Sequence, residues 1–538
     1  MATKAVTRPT ALRTDETGHP RRWLVLAIMS FATFVLFADN TIVNTALPSI
    51  ARDLHATTSN LQWIVDSYIL MLAGLLLVGG AVADIFGRKR WFAIGMVIFA
   101  AGATTAALST SANQLILGRA IQGLGGAFVM PTTLSIITSV FPRDSRAKAI
   151  GIWTGVTGLA MGFGPVLGGY IVDAAQWQTV FWLHLPAVAL ILGGLAVVPE
   201  SRDERKRRID IPGAVLGTAA LTSLVYAIIS GGEAGWTAQV VVTAGIVSAI
   251  MLTAFVLVEA HASDPMLPLH FFKQRDFTTA VVIIGLVFFT VTVTFFFLTQ
   301  FYQLVQGRSA LVAGLLGVPC AIAMGVGAPL SAMFVKRVGP KVLVISAMAS
   351  LALGMALLSQ LSVETSTLQI VATMCLFGLA GGLGLVPLTD TVMAAVPVDQ
   401  AGVASAVNDV SRELGAALGI AAMGSLVNSM YRANIDRALG GSVPADTAHA
   451  AGEGIGIAAA LANSMPAEAA ARLLAVANTA FVDAVGNGFL IGAAVLLIPM
   501  LAAAIFLPNR SRLHQAEASQ PAGLQPTAIT VAETSAVA

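Results

Sequence analysis

The sequence predicts an all-α polytopic membrane protein with about fourteen transmembrane helices, arranged as two six-helix bundles and a central pair of extra helices. Three observations carry this. There is no charged residue between Arg90 and Arg119, between Asp276 and Arg308, or between Arg308 and Lys336. Each gap exceeds the roughly 20 apolar residues a helix needs to cross a ~30 Å hydrocarbon layer. The composition agrees, at 56% hydrophobic and 11% charged with a mean hydropathy of +0.82. Inside lipid the backbone must satisfy its own hydrogen bonds, so such runs are helices. The third observation is a faint internal repeat, taken up below.

Residues 1–22 hold five basic residues and no apolar stretch, so they read as a cytoplasmic polar tail and not a cleavable signal peptide. The first bundle, 23–200, places spans at 23–47, 61–82, 91–110, 114–138, 147–172 and 178–198, each ended by a charged or turn-forming stretch. A basic linker, 201–210, follows; its core, RDERKRR at 202–208, is the densest internal charge cluster and reads as an orientation anchor. The extra pair occupies 211–260, with spans 211–231 and 238–259, and a loop at 261–276 leads on. The second bundle, 277–507, has spans 277–300, 311–334, 340–360, 368–392, 403–428 and 485–507. It contains one sizeable external segment, 429–480, rich in Ala and Gly, in which Ser464 to Ala484 can form an amphipathic helix starting near Pro466. The polar 508–538 is a second cytoplasmic tail, expected to be disordered.

Orientation follows from Lys and Arg. With the N-terminus inside, five basic residues are external (Arg52, Arg308, Arg432, Arg437, Arg472) and two lie in the membrane (Arg119, Arg412). The other 23 of 30 are cytoplasmic. The positive-inside rule therefore puts both termini in the cytoplasm, in a multi-pass protein of the cytoplasmic membrane. A net charge of +2, dispersed over inner loops, points to no nucleic-acid partner. Cys320 and Cys375 fall within apolar spans and suggest neither a disulfide framework nor a metal site. No GxxxxGK[ST], HExxH or GxSxG run occurs, which argues against ATP hydrolysis and against an enzyme in general.

The repeat relates ADIFGRKR (83–90) to VKRVGPK (335–341), aligning Gly87 with Gly339 and Lys89 with Lys341 just after the second helix of each block. Repeated halves are common in transporters, whose sites lie near the midplane between them. Three local patterns add mechanism. GGAVADIFGRKRWF (79–92) is a tight inner turn: Asp84 can cap or attract a neighbouring helix N-terminus, Gly87 permits the turn, and Arg88 to Arg90 hold the loop in the cytoplasm. LILGRAIQGLGGAFVMP (115–131) places Arg119 in a span otherwise free of charge. GIWTGVTGLAMGFGPVLGG (151–169) spaces Gly151, Gly155, Gly158 and Gly162 along one helix face, with a bend at Gly164-Pro165. Small residues there let a second helix approach closely.

These segments resemble the major facilitator superfamily: 79–92 is similar to its motif A (Gly80, Asp84, Gly87, Arg88, Lys89) and 115–131 to its motif B. The run 151–169 resembles motif C of its antiporter branch (Gly158, Gly162, Gly164, Pro165, Gly168, Gly169). FADNTIVNTALPSI (37–50), with Asp39, and AVNDVSRELGAALGIAAMGS (406–425) resemble the first and thirteenth helices of its fourteen-helix drug:proton antiporters. The resemblance spans residues 20–507 and implies the major facilitator fold. Val82 and Ile85 depart from the usual motif A. His184, in FWLHLP, stands where the family usually has Asn, which leaves open whether it titrates or only hydrogen-bonds.

Depth along the helices, at ~1.5 Å per residue, puts Asp39 about 12 Å, and Asp66 and Arg119 about 8 Å, below the outer helix ends. Leaving one such charge unpaired costs at least ~3 kcal/mol, so Arg119 should pair with a carboxylate, and Asp39 is the preferred partner. A permanent ion pair that only locks the bundle is the competing reading. On the thirteenth span Asp409, Arg412 and Glu413 share a face through i, i+3, i+4 spacing. Either Arg412 neutralises Asp409 and leaves Glu413 to meet a cation or proton, or it holds Glu413 permanently; the spacing permits both. Phe295 to Phe297 read as lipid-facing or packing residues, not as part of a drug pocket.

The resemblance implies a proton-coupled exporter of lipophilic, cationic drugs, working by alternating access. Its proton and substrate charges would be carried by Asp39, Asp66, Arg119, Asp409, Arg412 and Glu413. The expected partners are a small lipophilic substrate, protons and the bilayer; the protein would act as a monomer with no cofactor beyond the proton motive force. Competition of proton and cation for one carboxylate supplies the coupling. Rival expectations are an exporter of a specific metabolite, an importing symporter and a non-transporting membrane scaffold.

Overall fold

A computed structural model describes residues 19–202, 210–262, 265, 267, 269–396, 401–439 and 443–507. Most of both polar tails and of the RDERKRR cluster therefore lies outside the described residues. Among the described residues the regular structure is helical, with no strand. The first half comprises α1 (Arg22–Asp53), α2 (Thr58–Phe86), α3 (Arg88–Ala107), α4 (Ala112–Val140), α5 (Arg143–Ala174) and α6 (Thr179–Val197). The extra pair is α7 (Ile211–Ala234) and α8 (Gln239–His261). The second half comprises α9 (Arg275–Val305), α10 (Ala310–Val335), α11 (Arg337–Leu358), α12 (Thr367–Ala394), α13 (Ala401–Leu439) and α14 (Ala467–Phe506). Among the described residues thirteen helices are long and apolar enough to cross a membrane. The remaining span expected at 147–172 falls on α5, several of whose side chains lie outside the described residues.

Helix ends follow local chemistry. Thr57 caps α2 by accepting from the Asn60 amide, and Ser111 and Ser309 do the same for α4 and α10. The two turns aligned by the repeat are built alike. Gly87 (φ 113°) separates α2 from α3, and Gly339 (φ 82°) breaks the stretch Ala310–Leu358 into α10 and α11. Both lie in the left-handed region that a side chain disfavours, which is why each half keeps glycine there.

Within the halves α1 packs on α5, α4 on α2 and α3, α9 on α13, and α12 against α10 and α11. Two seams join the halves, α5 with α10 and α2 with α13, and α7 packs over the second by touching both its helices. α8 packs mainly on α7 and turns Val242, Ile246, Ile250 and Leu257 outward, a face suited to hydrocarbon.

Two boundaries differ from the sequence expectation. α13 runs on to Leu439 instead of ending at 428, and α14 begins at Ala467, after Pro466, instead of at 485. The expected amphipathic helix is thus the first part of α14. Hydropathy falls in these stretches, but each keeps one buried face, with Tyr431, Ile435, Leu473 and Ala477 all under 5% exposed. Between them, short helices Ala445–Gly452 and Ile455–Ala462 fold over the α1–α2 turn. There the Thr58 amide donates to the Glu453 carbonyl at 3.1 Å, and the Tyr431 hydroxyl to Ala451 at 3.0 Å.

Candidate functional site

Two charged clusters lie inside the helices. In the first, Arg119 on α4 donates through Nη1 to Asp39 Oδ2 on α1 at 2.6 Å, with both side chains fully buried. Gln122, one turn along α4, accepts from the same Nη1 at 3.1 Å and donates to Asp39 Oδ1 at 3.4 Å. Arg119 Nε donates to the Ile64 carbonyl at 3.3 Å, and the Tyr68 ring lies 4.3 Å below the guanidinium. His184 of α6 completes the group, its Nε2 lying 3.3 Å from Asp39 Oδ1. The expected pairing of Arg119 with a carboxylate is therefore present, with the preferred partner Asp39. Gln122, Tyr68 and His184 were not assigned to it; the i, i+3 spacing of Arg119 and Gln122 was the available signal.

Asp66 stands apart. It is fully buried, neither carboxylate oxygen has a hydrogen-bond partner, and it forms no ion pair with Arg119. One turn earlier Gln62 points at α13, donating to the Ile420 and Ala421 carbonyls at 2.8 and 3.2 Å. Helix phase thus turns Asp66 away from α1 and toward the α2–α13 seam.

The second cluster lies on α13. Arg412 Nη1 is 3.8 Å from Asp409 Oδ1, and its guanidinium stacks 4.6 Å from the Phe288 ring of α9. Glu413 makes no ion pair or hydrogen bond among the described residues and faces a cavity of about 210 Å³ between the halves. That cavity is lined by Phe37, Asn40, Thr41 and Asn44 of α1, Gly162 and Pro165 of α5, Phe288, Phe295 and Tyr302 of α9, and Met324 and Phe377 from α10 and α12. Phe295 is therefore a wall residue, contrary to the expectation, while Phe296 and Phe297 are core. Helix phase again decides, because three consecutive residues point about 100° apart.

The cavity is closed at the end remote from the Gly87 and Gly339 turns. There Asp173, at the end of α5, accepts at 2.9 Å from the Ala310 amide and at 2.9 Å from the Leu311 amide, capping α10 across the seam. Gln303 donates to the Thr45 carbonyl at 2.9 Å. Gly164 and Gly168 meet Thr41 and Ile42, and Gly169 meets the backbone of Ala310 and Leu311 so closely that any Cβ would overlap it. Gly162 is in reach of Ala321, but around Gly151 and Gly155 there is nothing within 4 Å of a Cβ position. The α5–α10 contact thus ends midway, and Gly151 and Gly155 beyond it are exposed. The surroundings of Gly158 lie outside the described residues.

Gly169→Leu should therefore wedge this closed end apart. In a background lacking Cys320 and Cys375, an added cysteine at Thr45 should label several-fold faster with an impermeant thiol reagent, at unchanged expression. Unaltered labelling would show that this contact does not hold the end shut.

The inner turn differs in one detail from expectation. Asp84 does not cap a helix; it binds Arg88 of the next turn at 2.7 Å. Glu200 does the capping instead, accepting from the amides of Lys89 at 3.0 Å and Arg90 at 3.3 Å. An acid from the far end of the half satisfies the α3 N-terminus, something no local spacing reveals. Gly80 lies against Pro131 of α4.

Comparison with known proteins gives a consistent outcome. The family profile described as Major Facilitator Superfamily matches residues 29–420. The chain is 36% identical over 424 residues to the multidrug resistance protein Stp of Mycobacterium tuberculosis, covering 78% of this chain and 79% of that protein. It is 34% identical over 486 residues to the multidrug efflux pump LfrA of Mycolicibacterium smegmatis, covering 89% and 94%. Among solved structures, a bacterial homologue of the human lysosomal transporter Spinster, crystallised inward-facing and unoccupied, superposes with a TM-score of 0.63 at 18% identity. That match covers 91% of this chain and 98% of the other.

Proposed function

This chain belongs to the Major Facilitator Superfamily, a transporter and not an enzyme, and from that premise we propose that it exports lipophilic cationic drugs in exchange for protons. As a multi-pass membrane protein of drug-efflux type, it acts on small substrates. The observation that carries the finer reading is the unpaired Glu413 carboxylate on an aromatic-walled cavity between the halves. Arg412, which lines the same cavity, is directed to Asp409 and Phe288, and Glu413 is the carboxylate a cation meets there. Burial of aromatic substrate surface against Phe37, Phe295 and Phe377 adds affinity without fixing shape, which suits a broad range of molecules.

The distribution of basic residues puts the end opposite the closed one at the cytoplasm, with fourteen crossings and both termini inside, and we take that end as the one that opens there. In that orientation the cavity loads from the cytoplasm. Exposure to the outside then lets a proton displace the cation from its carboxylate. Deprotonation toward the cytoplasm resets the site, and because proton and cation compete for one group neither crosses alone. Asp39 serves as a second proton carrier, released from Arg119 as α1 and α4 shift. With two protons entering for each monovalent cation that leaves, one net charge crosses, and at ~100 mV that gains ~2.3 kcal/mol, enough to sustain a gradient of more than tenfold. The chain works as a monomer in this scheme.

Inside-out vesicles with an acidified lumen test this. Adding a lipophilic monocation such as tetraphenylphosphonium should alkalinise the lumen within seconds, and a protonophore should abolish its uptake. Uptake at full rate with no response to ΔpH or voltage would refute proton exchange.

A further inference from the structure

His184 lies between two oxygens that only accept while Arg119 holds Asp39 as a carboxylate. Its Nε2 is 3.3 Å from Asp39 Oδ1, its Nδ1 is 3.3 Å from the Phe181 carbonyl, and the residue is 5% exposed. A neutral imidazole has one N–H and one lone pair, so one of these contacts would set a lone pair against an oxygen; an imidazolium donates to both. We propose that His184 is a proton-carrying residue of the transport cycle, exchanging a proton with Asp39 through Nε2 and Oδ1. This rests on the proton-exchange reading above and adds a carrier to it.

The surroundings fit the role. The charged groups facing the ring are Asp39 from α1 and, through Asp39, Arg119 from α4. α3 contributes the Phe99 ring, 5.4 Å away and nearly perpendicular, which offers no competing hydrogen bond. Of the described charges on α5, Lys148 lies over Trp23 and Asp173 caps α10, so neither is committed to His184. Asp39 divides its oxygens: Oδ2 is held by Arg119 at 2.6 Å, while Oδ1 has only the longer contacts from Gln122 and His184.

The step balances. With Arg119 on Oδ2, Asp39 is a carboxylate and His184 an imidazolium. When Arg119 withdraws, the Nε2 proton moves to Oδ1, giving a neutral ring and a neutral acid, so no net charge is created as the guanidinium leaves. The acid then releases that proton to the cytoplasm and takes up another from outside, and the return of Arg119 passes it back to Nε2, so one proton crosses in each cycle. A residue in the place of His184 that does not titrate, such as Asn, could orient Asp39 through its amide N–H but could not take its proton.

Two measurements on the full-length protein in lipid decide the matter. In proteoliposomes at fixed ΔpH, the wild-type transport rate should change about tenfold between pH 5.5 and 8, with an inflection in the imidazole range. His184→Asn and His184→Gln, each normalised to its own maximum, should flatten to within about twofold while remaining ΔpH-driven. Independently of variant activity, the ring-nitrogen NMR signal of wild-type His184 should report an imidazolium at the low end of that range, its assignment made by its absence from either variant. A ring that stays neutral throughout, or a profile identical to wild type in both variants, overturns the proposal. Loss of ΔpH dependence from the wild type itself would instead overturn proton exchange.

Discussion

Glu413→Gln is expected to abolish export of lipophilic cations while leaving the protein folded and inserted. The carboxylate faces the cavity and makes no ion pair or hydrogen bond with the described residues, so the isosteric amide removes charge without orphaning a partner. A hydrogen bond to a charged group contributes about 1.5–3 kcal/mol, which at ~1.4 kcal/mol per tenfold corresponds to roughly a 10- to 100-fold loss of affinity for cations. Expressed in a host lacking its own pumps, the variant should lose resistance to cationic dyes and give no proton signal on their addition. Resistance at wild-type level would move the substrate charge to Asp66 or Asp39.

Asp39→Asn should have the larger effect on stability as well as on transport. It leaves the fully buried Arg119 guanidinium facing a neutral amide. Breaking a buried pair from one side costs about 3–5 kcal/mol, chiefly because the other charge is stranded. Adding Arg119→Gln removes that stranded charge, so the double variant should regain much of the lost thermal stability without regaining exchange. The cycle of single and double variants isolates the coupling, since the two side chains are in direct contact. Full stability and resistance in Asp39→Asn would mean that the pair neither supports the bundle nor carries protons, and coupling would rest on Glu413 and Asp66.

Much of the first cluster was legible because depth is legible. Counting residues from a helix end places a charge along the membrane normal, which was enough to expect a carboxylate partner for Arg119 but not to choose between Asp39 and Asp66. Depth says nothing about direction around the helix axis. Asp66 lies near the same level yet forms no part of the Arg119 group, because Gln62, one turn away, fixes its face of α2 toward α13. The same limit applied to Arg412, whose i, i+3, i+4 neighbours were equally close in sequence. A ring from another helix, Phe288, stacks with the guanidinium that sits beside Asp409. Partners far along the chain, such as Glu200 for the α3 N-terminus and Asp173 for α10, left no local pattern to read.

What the chain's sequence determined by itself was its insertion in a bilayer, the number and order of nearly all its crossings, the glycine-dependent turns at 87 and 339, and which few charges must be buried. Those follow from costs paid one helix at a time: hydrocarbon thickness, backbone hydrogen bonding and left-handed φ. Tertiary structure alone decided which of those charges met a partner, which one was left facing the cavity, and which end of the cavity was shut. These depend on the rotation and close approach of helices distant in sequence, set by side-chain and glycine contacts at the seams that no single helix contains.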